Sequence, residues 1–403
     1  MKNLASSNRT EKPMMPKNEY EKRLAKLRES MSVSGINIAL LTQQRDIYYF
    51  TGTAVYSILV IPIDGEPILL VRINVDRAKR ETWIKDIRFS QGMCTLAEAL
   101  SSFNKGNIGI EKDVVSVSFY EQLIKNLPGF NFADVSPLVL AIRMLKSKPE
   151  INLIRKAAEI SHLGFQKFAE IVEEGITEIE LESEIEAAKK RVGHEGTMQF
   201  RTNNPGLSFG TLASGPNLTE VSGYWIAIIG KGPSSARPYG SSHRKIRRGD
   251  LVDVNHATVF QGYHSDEARM YVVGKPTAKQ ERIFSIVREA QKAAIEVIKP
   301  DIEVAQIYYS AEEIMKKHGY CEYFMAYGQY GVKYVGHGVG LEIDEPPLIS
   351  PENKTILKPG MVLAIEPKVI IPKWGGMDLE DTVVVTEDGY EILTFTRREL
   401  IEV

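Results

Sequence analysis

Residues 251–273 have the sequence LVDVNHATVFQGYHSDEARMYVV, which is typical of a β-hairpin that turns near residues 260–262. A loop centred between positions 260 and 261 predicts that Asn255 lies opposite Asp266. Directly opposed side chains on one face of a hairpin have Cβ atoms about 4.5–5.5 Å apart. A polar pair that faces inward at this distance can share a ligand.

A second hairpin is predicted for residues 361–386, which have the sequence MVLAIEPKVIIPKWGGMDLEDTVVVT. If it is centred at Lys373, Glu366 lies opposite Glu380. Two carboxylates at about 5 Å raise one another's pKa unless a cation or a proton lies between them. The apolar residues around Glu380 predict a buried strand, and a buried acidic pair requires a partner.

The third element is a histidine between two glycines, Gly336–His337–Gly338. Taken alone, a histidine in a strand is more often a structural residue than a ligand, and each acidic hairpin could be a solvated sheet face. Together, one imidazole and several carboxylates form a ligand set that suits Mn²⁺, Fe²⁺, Co²⁺ or Zn²⁺. The combination therefore favours a metal site.

Composition narrows the class of protein. The chain has 403 residues, of which 43% are hydrophobic, and 50 basic against 52 acidic residues give a formal charge of −2. This balance argues against charge-driven binding to nucleic acid or to an anionic membrane. The two cysteines, Cys94 and Cys321, are too few for a disulfide framework or a cysteine-based zinc site. No apolar run reaches a membrane-spanning length and no signal peptide is evident, so we expect a soluble cytoplasmic protein.

The order of predicted elements indicates two domains. Strand and helix patterns alternate up to about residue 140, which is typical of a small α/β domain. Pro149 and Glu150 then favour the start of a long amphipathic helix. We predict a flexible tail at residues 1–17, a first domain at residues 18–146 and a second at residues 147–403. Few clear elements are predicted within residues 194–242.

These motifs closely resemble those of the pita-bread metallopeptidases, which include Xaa-Pro dipeptidases (prolidases), aminopeptidase P and creatinase. The segments that carry the resemblance are GDLVDVN, GYHSDEAR, VGHGVGLEIDEPP, GMVLAIEP and DLEDTVVVTEDG. The resemblance covers the whole chain. It implies an α/β (α+β) fold, with a creatinase/prolidase-like N-terminal α/β domain before a pita-bread catalytic domain. It also implies a homodimer.

In this family five residues bind two divalent metal ions (Mn, Co, Fe or Zn). Carried over to this sequence, they fall on Asn255, Asp266, His337, Glu366 and Glu380. The first is normally an aspartate, and a neutral amide can offer one oxygen but cannot bind as a bidentate anion. Asp253, two residues earlier on the same strand face, could compensate. We therefore expect one tightly held ion and at most one weak second ion.

Two family histidines that serve substrate binding and proton transfer are also replaced. Tyr239 stands in a Pro-Tyr-Gly segment where the family has Pro-His-Gly, and Asp344 stands where a histidine precedes Glu345. The resemblance implies that Tyr239 and Asp344 line the substrate pocket. It also implies that Arg269 belongs to the substrate-binding residues and orients an acidic ligand.

The resemblance implies metal-dependent hydrolysis of Xaa-Pro-type peptide bonds by a metal-activated water, with His337 as a ligand and Glu366 as the proton shuttle. The replaced residues leave two alternatives open. One is a non-peptidase enzyme, either a creatinase-like amidinohydrolase or an eliminase like dimethylsulfoniopropionate lyase. The other is a metal-free binding module. The expected ligand is a small peptide or another small molecule.

Overall fold

The computed structural model describes residues 15–202, 210–221, 228 and 230–403. The chain divides into two compact units, one that ends at Arg143 and one that spans Met144–Val403. Both units combine helices and strands, which confirms the predicted mixed α/β class. The domain limits remain a prediction, and most of the expected tail (residues 1–14) lies outside the described residues. None of the described helices combines the length and the apolar character needed to cross a membrane.

The first unit contains a six-stranded mixed sheet with the strand order β4-β3-β2-β1-β5-β6. Its strands are β1 Ile38–Leu41, β2 Ser57–Pro62, β3 Ile68–Val71, β4 Asp86–Phe89, β5 Asn107–Ile110 and β6 Asn131–Asp134. Its helices are α1 Lys17–Val33, α2 Gln44–Thr51, α3 Val75–Glu81, α4 Met93–Leu100, α5 Val117–Asn126 and α6 Ser136–Met144. The central strand β1 is buried along its whole length, which explains its continuous apolar sequence.

The second unit contains two four-stranded sheets, β10-β11-β14-β15 and β16-β9-β8-β7, and the pair β12-β13. Its strands are β7 Gly210–Ser214, β8 Leu251–Phe260, β9 Tyr263–Val272, β10 Gly336–Gly338, β11 Val362–Ile365, β12 Val369–Ile371, β13 Gly375–Met377, β14 Asp381–Val385, β15 Tyr390–Ile392 and β16 Ile401–Glu402. Its α-helices are α7 Lys148–Ile171, α8 Glu178–Arg191, α9 Ala278–Glu296 and α10 Ala305–His318. Strand β7 lies in the stretch where the sequence predicted few elements.

Helix α7 begins where the sequence predicts it, because Ser147 and Glu150 form a capping box around Pro149. One Glu150 oxygen accepts a hydrogen bond from the Ser147 main-chain N–H at 2.8 Å. The other accepts from the Tyr263 hydroxyl at 2.9 Å. The first turn of α7 is thereby fixed to the start of β9.

The β8–β9 hairpin differs in register from the prediction. Its turn is the two-residue loop Gln261–Gly262, in which both residues have positive φ (51° and 81°), as in type I′ hairpin turns. Asn255 therefore pairs with Ala268, not with Asp266, which was the predicted partner. The register moves by two positions in total, so Asn255 and Asp266 still lie on one face, as diagonal neighbours.

The second hairpin has the predicted centre. Val369 pairs with Met377 and Val362 with Val384, so paired positions are symmetric about Lys373. Lys373 itself has φ 62°, the left-handed conformation of a tight turn. Glu366 follows the last residue of β11 and Glu380 precedes the first residue of β14.

We predict that Gly336→Ala destabilises the second unit, because the new Cβ would lie 1.9 Å from the main-chain oxygen of Ala364 and Gly336 has φ 155°. Overpacking of this kind costs about 1–3 kcal/mol, measurable by urea unfolding. Gly389→Ala is the control, since its Cβ would meet no atom within 4 Å. An unchanged free energy of unfolding for Gly336→Ala contradicts the prediction.

Candidate metal centre

Four predicted metal residues meet where β9, β10 and β14 approach one another. Ligand atoms of Asp266, His337 and Glu380 all lie within 4.8 Å of one another. His337 Nε2 is 3.8 Å from Asp266 Oδ2 and 3.6 Å from Glu366 Oε1. Asp266 and Glu380, which are more than 110 positions apart in the sequence, thus lie beside one imidazole, and Glu366 lies next to the same imidazole.

Main-chain contacts hold the two strands of this site in place. The Thr382 hydroxyl accepts a hydrogen bond from the Asp266 N–H at 2.9 Å and donates one to the Asp266 carbonyl at 2.7 Å. The Glu380 N–H donates to the Ala268 carbonyl at 3.2 Å. Asp266 and Glu380 therefore have fixed backbones.

The side chain of Arg269 is enclosed by the protein and does not face a substrate pocket. Its side chain is fully buried and makes ion pairs with Asp381 at 2.7 Å and Glu267 at 2.9 Å. Its guanidinium also donates to the main-chain oxygens of Glu380 and Thr396. A substrate cannot reach a guanidinium enclosed in this way, so the expected substrate-binding role is wrong. Arg269 instead holds the backbone of the acidic residue Glu380.

The ligand atoms of Asp266, His337 and Glu380 fit a divalent cation. Among the described residues, no donor reaches the buried atoms Asp266 Oδ1 and Glu380 Oε1. His337 Nδ1 lies 3.1 Å from the Gly338 carbonyl, which can only accept a hydrogen bond, so Nδ1 carries the proton. Nε2 is then the atom available to bind a metal. Two unsatisfied carboxylates beside one imidazole suit the transition metals predicted from the sequence.

The electrostatics of the site favour a divalent cation. Burial raises the pKa of Asp266 to about 6. Burial and the charges of Asp266 and Glu366 raise the pKa of Glu380 well above its usual range. Burial lowers the pKa of His337, but the negative charges of Asp344, Glu366 and Asp266 raise it by a larger amount. The net shift of the His337 pKa is therefore upward. Protons and a divalent cation would therefore compete for these side chains.

Asn255 and Asp253 lie beside these residues on β8. The Asn255 amide donates a hydrogen bond to Glu380 Oε2 at 3.1 Å. Asp253 pairs with Met270 and is fully buried. No donor among the described residues reaches either of its carboxylate oxygens.

Two charged residues in the centre were missed by the sequence reasoning. The Lys368 ammonium lies 2.6 Å from Glu366 Oε2 and 3.0 Å from Asp378 Oδ2. Burial lowers the pKa of Lys368, yet the charges of Asp378 and Glu366 hold it well above its usual range. A lysine among buried apolar residues was one signal. The other was the hairpin register, because symmetry about Lys373 places Lys368 opposite Asp378.

The two predicted substrate residues have different environments. Tyr239 is half-buried and packs against an apolar cluster that includes Phe200 and Ile343. Asp344, next to Ile343, is exposed, and its charge acts on His337. Asp344 therefore combines access to solvent with an electrostatic effect on the predicted metal residues.

Comparison with known proteins shows a close likeness over most of the chain. The sequence profile of metallopeptidase family M24 matches residues 152–387, and that of the creatinase/prolidase N-terminal domain matches residues 23–145. The Xaa-Pro dipeptidase of Pyrococcus furiosus is 34% identical over 384 residues, which cover 94% of this chain and 100% of the relative.

Solved structures agree. The prolidase of Pyrococcus horikoshii OT3 superposes with a TM-score of 0.79 at 32% identity, covering 94% of this chain and 100% of that one. An Xaa-Pro dipeptidase from Bacillus anthracis superposes with a TM-score of 0.82 at 27% identity, covering 95% and 100%. With three of its predicted metal residues together in a buried site and Glu366 beside His337, this chain belongs to metallopeptidase family M24 and carries a creatinase/prolidase N-terminal domain.

Proposed function

We propose that this protein hydrolyses Xaa-Pro-type bonds in small peptides and depends on a divalent metal ion. The observation that supports this most is the convergence of Asp266, His337 and Glu380 with two buried carboxylate oxygens that lack a donor among the described residues. The similarity to Xaa-Pro dipeptidases over 94% of the chain supports the same reaction.

The residues that would hold the ion are Asp266, His337, Glu366 and Glu380. When bound, a divalent ion polarises a carbonyl group and lowers the pKa of water. Burial raises the pKa of Glu366, but the charges of Lys368 and His337 lower it by a larger amount. The pKa of Glu366 therefore lies below its usual range. Glu366 is therefore an anion at neutral pH and can accept a proton and return it. Tyr239 and Asp344 would contact the substrate.

We further propose one tightly held ion per chain. At position 255 the amide nitrogen faces Glu380 as a donor, so this residue adds no negative charge for a second ion. Mn²⁺, Co²⁺, Fe²⁺ and Zn²⁺ all suit the donor set. A homodimer and a cytoplasmic location remain predictions from the sequence.

A second candidate function follows from the changed residues around the site. Asn255, Tyr239 and Asp344 replace an aspartate and two histidines expected in peptidases of this family, which favours a non-peptidase reaction on the same metal centre. Such an enzyme would hydrolyse an amidine or eliminate a leaving group from another small molecule.

Hydrolysis of Ala-Pro and Leu-Pro, with Mn²⁺ or Co²⁺ added to the metal-stripped protein, separates the candidates. Release of a new amine group supports the peptidase. Metal-dependent product formation from a substrate library without peptide cleavage supports the second candidate. A protein that takes up no metal under any of these conditions overturns both.

His337→Ala should abolish metal-dependent activity while the protein stays folded, because the change removes a ligand without opening the core. Activity assays and circular dichroism measure the two effects. His318→Ala is the control, since His318 pairs with Glu289 at 2.8 Å outside the metal centre. Normal activity of His337→Ala would falsify the ligand assignment.

Metal affinity should fall at least tenfold for each pH unit below about 6, because more than one ligand must lose a proton. Burial raises the pKa of Asp266 to about 6, so below that pH the metal must displace a proton. The raised pKa of His337 acts in the same direction, because a protonated imidazole cannot bind metal. Isothermal titration between pH 5 and 7.5 measures the slope, and an affinity independent of pH contradicts this expectation.

A further inference from the structure

We infer that the ammonium group of Lys368 is a built-in cation that takes the place of a second metal ion, and that Asp378 positions it. This inference rests on the proposed metal site, but not on the substrate or on the reaction. Together with the neutral amide of Asn255, this ammonium limits the site to one ion.

The two carboxylate oxygens of Glu366 have different partners. Oε1 faces His337 Nε2 at 3.6 Å, on the side of the predicted metal residues. Oε2 accepts from Lys368 at 2.6 Å, the short distance of a charge-assisted hydrogen bond. An oxygen that binds an ammonium at this distance is not available to a metal ion at the same time. In this protein the ammonium already occupies one of the two oxygens.

Glu380 is divided in the same way. Its Oε2 accepts from the Asn255 amide at 3.1 Å, whereas no donor among the described residues reaches its Oε1. Each of the two carboxylates therefore has one oxygen bound by a protein N–H donor and one directed elsewhere. Lys368 and Asn255 therefore engage one oxygen of each carboxylate, and the other oxygen of each is left for a metal ion.

The ammonium is also fixed in position. The lysine side chain is only 5% exposed, and Asp378 binds the ammonium from the second side at 3.0 Å. The main chain of Lys368 is held as well, because its carbonyl accepts from the Met325 N–H at 3.0 Å. A divalent ion could displace the Lys368 ammonium only by breaking its contacts with the two carboxylates and the hydrogen bond that fixes its main chain.

The charge of Lys368 reaches the rest of the acidic group. It acts on Glu380 and on Asp253. Among the described residues, no donor reaches either carboxylate oxygen of Asp253. In a site built for two ions, the second ion would balance these charges. Here a covalently attached ammonium supplies positive charge at that point, and like charges disfavour a further cation beside it.

The experiment measures metal stoichiometry rather than catalysis. Wild type, Lys368→Met, Lys368→Gln and Lys368→Arg are stripped of metal and titrated with Mn²⁺, and bound metal is counted by plasma mass spectrometry after gel filtration. We expect about one tight ion per chain in wild type and Lys368→Arg. In the two neutral variants we expect an additional bound ion, held more weakly because Asn255 is unchanged. Lys368→Gln keeps an N–H donor for Glu366, so it carries the test if Lys368→Met does not fold.

Lys146→Met is the matched control. Lys146 is another buried lysine, paired with Glu345 at 3.1 Å, and its loss should leave the stoichiometry at that of wild type. Two tight ions in wild type overturn the inference, and so does an unchanged count in the folded neutral variants. Failure to hydrolyse Xaa-Pro peptides while the counts follow this pattern would overturn the proposed reaction and leave the inference standing.

Discussion

A carboxylate buried in a protein core costs free energy unless a cation, a proton or hydrogen-bond donors compensate its charge. The second unit buries several carboxylates close together. The strands that carry them are held by contacts that compensate some of these negative charges and leave others uncompensated. Thr382 and Arg269 fix the backbones that carry Asp266 and Glu380, while the facing side chains keep oxygens without donors. Compensation from the protein is thus complete on one side of the strand and incomplete on the other.

The contrast is sharpest between two consecutive residues, Glu380 and Asp381. Asp381 is bound by Arg269, Arg398 and Thr394, and although burial raises its pKa, these partners lower the pKa below its usual range. The pKa of Glu380 shifts upward instead. Successive side chains of a strand point to opposite faces, so a single strand serves a closed ion-pair network on one face and a chemically open site on the other.

Much of this site could be predicted from the sequence, because both hairpins have clear patterns and the motifs resemble a known family. The register about Lys373 was predicted because Pro372, Gly375 and Gly376 indicate a short turn there. The β8–β9 register was wrong, because nothing in the sequence indicates that Gln261 adopts a left-handed conformation. The enclosure of Arg269 depends on Glu267 and Thr396, and the distant Thr396 cannot be placed by local pattern. Lys368 and Asp378 were overlooked although the predicted register already made them neighbours.

The alternation along β14 also constrains how the gene can change. A one-residue insertion between the turn and β14 would exchange the faces of Glu380 and Asp381, placing the wrong carboxylate against Arg269 and removing the other from His337. Insertions within the turn around Lys373 need not alter this alternation, since the paired strands beyond it set which side each residue faces. Length variation among relatives of this protein should therefore concentrate in the turn, and the segment from the turn to Asp381 should keep a constant length.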